Sequence, residues 1–62
     1  MIQPGEIRRI KIDQGYSVPE ARGCLCVVER GPDSAGDYKV RYTTPRGHHN
    51  SQWMMEKHLE IL

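Results

Sequence analysis

Turn signals recur along this chain at short intervals. Pro4-Gly5, Asp13-Gln14-Gly15, Pro19, Gly23, Gly31-Pro32-Asp33, Gly36-Asp37 and Pro45-Arg46-Gly47 cut its 62 residues into brief segments. Proline presets one backbone angle and removes a donor, and glycine reaches conformations closed to other residues, so such clusters end regular structure. Short segments between frequent turns predict an all-β domain.

The segments between the turns carry strand patterns. In Glu6-Ile7-Arg8-Arg9-Ile10-Lys11-Ile12, Ile10 and Ile12 alternate with Arg9 and Lys11, which predicts a half-buried strand. Ile7 breaks that alternation, as a bulge would. Cys24-Leu25-Cys26-Val27-Val28-Glu29-Arg30 is rich in β-formers and apolar on both faces. Leu25 and Val27 share one face and Cys24, Cys26 and Val28 the other, the mark of a central strand. Tyr38, Val40 and Tyr42 alternate with Lys39 and Arg41, so one face of the next strand is apolar and the other cationic. Pro45-Arg46-Gly47-His48 reads as a hairpin turn, with a return strand from His49 to Met55.

The last dozen residues fit two descriptions. Ser51 could cap a helix in which Met55, Leu59 and Leu62 share a face. The preferred description is a strand, one tight turn at Glu56-Lys57-His58, and a final strand from Leu59 to Leu62.

Length sets the scale. A chain of 62 residues is one domain, here residues 1–62, and its small core gives modest stability. It has little room for a buried active site and can offer a surface or a groove. Nine Lys and Arg against eight Asp and Glu give a net charge of +1, less than the excess expected of a dedicated nucleic-acid binder. Cys24 and Cys26 are two positions apart, too far along a strand for ordinary disulfide geometry. Unbridged thiols predict a reducing compartment, and no apolar run suits a signal segment or a membrane span. The expected location is the cytoplasm, with no membrane association.

Taken in order, the motifs resemble a known group. Pro4-Gly5 opens a strand; a polar loop ends at Arg22-Gly23; Asp37-Tyr38-Lys39-Val40-Arg41-Tyr42 follows a turn; and Glu56-Lys57-His58-Leu59-Glu60-Ile61-Leu62 closes the chain. This resembles the small SH3-like barrel proteins of bacteria and their phages, the YorP type, and more distantly the KOW and Tudor-like modules. The resemblance implies a five-stranded SH3-like barrel with one short 3-10 turn before the last strand. Residues 13 to 21 lack the acidic-aromatic pattern of a signalling SH3 domain, and Cys26 stands where a KOW element usually has Gly. The phage-type group implies no defined activity.

Constellations for catalysis are weak. His48, His49, His58 and the two cysteines lack zinc-ligand spacing, and adjacent His48 and His49 would point to opposite faces of a strand. A cysteine nucleophile would need a converging His and carboxylate, and Cys24 and Cys26 lie in the strand expected to be most buried. No Gly-rich loop leads into a helix bearing a Lys. The sequence therefore predicts a non-enzymatic binding module without metal or cofactor.

Two ligand surfaces follow. A protein partner would meet Tyr16, Arg46 and His48 together with Trp53 or Met54, since Trp53, Met54 and Met55 cannot all point inward along a strand. A nucleic-acid ligand would instead meet a cationic face of Arg9, Lys11, Lys39 and Arg41 through its phosphates. The protein partner is the preferred expectation, with the chain a monomer or a weak homodimer.

Overall fold

A computed structural model describes residues 2–12 and 19–62, with Pro19 described by its backbone alone. Five strands form one antiparallel sheet: β1 (Ile7–Ile10), β2 (Leu25–Arg30), β3 (Asp37–Thr43), β4 (His49–Met55) and β5 (Leu59–Ile61). The spatial order is β4-β3-β2-β1-β5. Consecutive strands pair from β1 to β4, and β5 returns to pair with the free side of β1. One 3-10 turn, Glu56–His58, joins β4 to β5, and another, Pro19–Ala21, precedes β2. The C-terminal segment is thus strand, turn and strand. None of these helical turns is long and apolar enough to cross a membrane.

The expected closed SH3-like barrel is corrected by this arrangement. The sheet stays open, with β4 and β5 as its two edges and no ladder between them among the described residues. β5 is three residues long and is bonded to β1 over that length. The three residues Glu56–His58 carry the chain directly from one edge strand to the other. Closure requires a continuous stagger of hydrogen bonds around the ring, and β5 is too short to extend one across to β4.

One face of the sheet holds the core. Ile10, Cys26, Val28, Tyr38, Val40, Tyr42, Met54 and Leu59 point inward, and Ile2 and Ala21 cover them from outside the sheet. Ile10, Val28 and Val40 are fully buried. The alternation expected of β3 is present: Tyr38, Val40 and Tyr42 go in while Lys39 and Arg41 go out.

β1 departs from its expected pattern. The strand ends at Ile10, so Ile12 lies outside it and is exposed, where the sequence predicts an inward position. Because Ile10 faces the core, period-two alternation turns Arg8 inward and Ile7 outward. Arg8 is 6% exposed. Its Nε donates to the Glu6 carboxylate and its Nη1 donates to the Leu59 carbonyl at 3.3 Å.

Two turns align the strands. Between β2 and β3, Asp33 Oδ1 accepts the backbone N–H groups of Ala35 at 2.9 Å and Asp37 at 2.8 Å, closing the loop on itself. Gly31 has φ +134, and a Cβ there would stand 2.8 Å from Tyr38 Cδ2 and 2.9 Å from the Asp37 carbonyl oxygen. Only glycine lets these two backbones approach so closely. Between β3 and β4, Thr44 donates its N–H to the His48 carbonyl at 2.8 Å, and its hydroxyl accepts the His48 N–H at 3.1 Å. Thr44 is buried, so the hairpin tip is tied to the core edge.

Candidate binding face

The second face of the sheet points to solvent and is built from the strand pairing. Arg9 stands opposite Leu25, and Ile7 opposite Val27. Val27 in turn stands opposite Arg41, which stands opposite Ser51. Thr43 pairs with His49, and Lys39 with Trp53. Neighbouring strands are about 4.8 Å apart, so these side chains form contiguous rows.

Two opposed features share that face. Ile7 is 56% exposed and Leu25 is 52% exposed, with half-buried Val27 between them. An open groove of about 490 Å³ runs over Ile7, Leu25, Val27, Arg41, Thr43 and His49. The sequence marks β2 as a central strand, and it lies in the middle of the sheet, with one of its two apolar faces over the core and the other on the outer side. A chain of 62 residues has one layer of core to offer, and it lies under Cys26 and Val28. The second apolar face of β2 is left on the outer side, with Leu25 exposed and Val27 half-buried.

Around the apolar row stand basic side chains. A register shift between Val28 and Arg30 sets Arg30 opposite Lys39 and adds Glu29 as the extra residue. This bulge turns Arg30 to the outer face, against the parity of Cys26 and Val28. There the Arg30 guanidinium carbon lies 5.5 Å from the centroid of the Trp53 ring, within cation–π range. Arg30 and Lys39 are like charges directly opposite one another. Arg41 has an acidic neighbour, with its Nη1 3.7 Å from Glu29 Oε2. Arg9 stands opposite Glu60 of β5.

The sequence-based candidates fall in several places. Arg9, Lys39 and Arg41 share the outer face, whereas Lys11 lies beyond the end of β1 and lines a separate hollow with Arg8, Glu56, Lys57 and Glu60. Trp53 is on the outer face and 40% exposed; Met54 is 2% exposed and belongs to the core. Met54 as a partner contact is thereby corrected, because strand alternation sends it inward between Trp53 and Met55. Arg46 and His48 are exposed at the β3–β4 hairpin tip, and Arg46 lines a different hollow with Glu20, Arg22 and Pro45. Trp53 is four residues along β4 from His49, about 13 Å at strand rise, so the tip and the Trp do not form one spot. Tyr16 lies outside the described residues.

Ile7, Leu25, Val27, Arg30 and His49 were not singled out by the sequence. The apolar run Leu25-Cys26-Val27-Val28 held the signal: in so short a chain, one of its two faces has to remain uncovered.

The thiols and imidazoles are dispersed. Burial pushes the Cys26 thiol up to about 11, against a weaker opposing bond from the Arg8 backbone. Cys24 Sγ donates to the Glu20 carbonyl at 3.3 Å. His49 Nδ1 lies 2.9 Å from the Thr43 hydroxyl, next to the exposed His48. No group of three or more His, Cys, Asp or Glu side chains among the described residues is placed to hold a metal ion. No protein-family model matches the chain, and no curated protein or solved structure matches it significantly, so the resemblance noted above rests on its motifs alone.

Proposed function

We propose that this chain is a non-enzymatic protein-binding module whose ligand surface is the outer face of its sheet. The observation that carries the reading is the apolar row of exposed Ile7 and Leu25 with half-buried Val27 on the central strands, bordered by Arg9, Arg30, Lys39 and Arg41. Apolar groups at the centre of a patch supply affinity, and a charged rim supplies orientation and on-rate. The rim selects a partner segment with apolar side chains flanked by acidic ones. Both cysteines are free thiols, which supports a cytoplasmic setting for this activity.

A second reading is favoured by one fact: Arg9, Lys39 and Arg41 share a face, as phosphate contacts of a nucleic-acid module would. Glu29 beside Arg41 and Glu60 opposite Arg9 dilute that field, and three apolar side chains occupy its centre. The protein-binding reading accounts for both the charge and the apolar row.

The deciding experiment compares the wild-type chain with Leu25→Ser in lysate capture, with and without nuclease. Discrete proteins retained after nuclease by the wild type, and lost by a Leu25→Ser chain of unchanged Tm, support the reading. Recovery of nucleic acid, with affinity falling steeply in salt and Leu25→Ser without effect, overturns it in favour of the second.

A further inference from the structure

Arg41 supplies the guanidinium of the outer groove, and its polar contact is loose. Among the described residues its ion-pair partner is Glu29, with Arg41 Nη1 3.7 Å from Glu29 Oε2 and 60% of the Arg41 side chain exposed. A charge-assisted hydrogen bond spans about 2.7–2.9 Å, so the two groups are neighbours without one. A guanidinium presents a planar fork of donors that fits a carboxylate on two bonds at once, and Glu29 meets it with one oxygen at long range. The buried Arg8, by contrast, holds both the Glu6 carboxylate and the Leu59 carbonyl.

Glu29 reaches Arg41 from the bulge in β2, where it is the extra residue between Val28 and Arg30. Bulges re-aim side chains and recur beside functional sites. On its other flanks Arg41 meets uncharged residues, Val27 across β2 and Ser51 across β4. The rest of the groove holds apolar side chains, hydroxyls and the His49 imidazole, with no carboxylate among the described residues that line it. A groove of this charge is complementary to an acidic ligand.

We infer that Glu29 stands in on Arg41 for the carboxylate of a partner: the groove takes an extended protein segment carrying an acidic side chain two residues from an apolar one, and the incoming carboxylate displaces Glu29. The inference rests on the reading of the outer face as a protein-binding surface and assigns the spacing of its ligand. Ile7 stands opposite Val27, and Val27 opposite Arg41. Strands lie about 4.8 Å apart, so a side chain seated between Ile7 and Val27 is about 7 Å from the Arg41 position. Residues i and i+2 of an extended segment are about 6.8 Å apart and point the same way. The apolar side chain then covers Ile7, Leu25 and Val27 while the acidic one meets Arg41.

A phage-display library of random linear peptides, panned on the wild-type chain, supplies the probes, and fluorescence polarisation gives their Kd. The recovered peptides are expected to share an Asp or Glu two residues from an apolar residue. Glu29→Gln is expected to tighten their binding about threefold and Arg41→Gln to weaken it about fivefold, the scale of an exposed ion pair. Glu56→Gln removes the same charge beside a different hollow and is expected to leave Kd unchanged. Peptides that lose binding with Leu25→Ser yet carry no acidic residue, or respond to Glu29→Gln no more than to Glu56→Gln, overturn the inference and leave the protein-binding reading standing. Failure to recover peptides, or recovery only of peptides indifferent to Leu25→Ser, removes the reading and the inference together. Should Arg41→Gln fail to fold, the comparison of Glu29→Gln with Glu56→Gln decides alone.

Discussion

Arg8 donates through Nε to the carboxylate of Glu6, two residues earlier in the chain, with 7% of the Arg8 side chain exposed and 30% of the Glu6 side chain. A guanidinium on the core face of a strand requires a carboxylate and a carbonyl to hold it, and Glu6 and Leu59 supply them. The exposed Ile7 between them is the other side of the same fact. Ile10 takes the core position, and the strand's alternation leaves Arg8 inside and Ile7 outside.

Glu6 should tie stability to pH. Its carboxyl is held below the ordinary glutamate range, first by the Gln3 backbone N–H at 3.2 Å and next by Arg8. A group whose pKa is lowered by folding stabilises the protein above its unfolded value, about 4.3, and ceases to do so as pH falls through the folded value. The Tm of the wild type is expected to fall on acidification through that window. Glu6→Gln should flatten this part of the profile and lower Tm at neutral pH by leaving Arg8 unpaired. The double variant Glu6→Gln with Arg8→Met should recover part of that loss. An unchanged pH profile in Glu6→Gln would show that the pair does not carry the dependence.

Trp53 and Met54 should respond unequally to truncation. Met54 fills core space, so Met54→Ala is expected to cost about 2–5 kcal/mol. Trp53 loses a cation–π contact with Arg30 at a partly exposed site, so Trp53→Ala is expected to cost about 1 kcal/mol. Urea denaturation followed by far-ultraviolet circular dichroism separates the two. Equal costs would contradict the assignment of their faces.

The two cysteines should differ in reactivity. The Cys26 thiol is buried and pushed up to about 11, so it is almost entirely protonated at neutral pH. Cys24 is partly exposed. With iodoacetamide under native conditions, mass spectrometry is expected to show one alkylation, at Cys24, and a second only when denaturant is added. Rapid native alkylation of Cys26 would mean that the sheet opens between β1 and β2.

Much of the fold was legible locally. The turns at Gly31–Gly36 and Pro45–His48, the alternation of Tyr38, Val40 and Tyr42, and the turn at Glu56–His58 each depend on neighbours in sequence. The chemistry that makes them acts within a few residues, through glycine and proline geometry, side chain to backbone bonds and period-two burial. The candidate site was legible only in parts. Arg9, Lys39 and Arg41 share a face because strand parity within β1 and β3 says so, while Lys11 separates from them because β1 ends sooner than its composition implies.

What the sequence by itself determined is which residues belong together on a strand face: Leu25 with Val27, Cys26 with Val28, Trp53 apart from Met54. What only the tertiary structure decided is which of two apolar faces is covered, that a bulge brings Arg30 over Trp53, and that β4 and β5 lie at opposite ends of the strand order. The reason is physical. Alternation is a property of a single strand and carries no absolute direction, whereas burial, register and closure depend on contacts between segments distant in the chain.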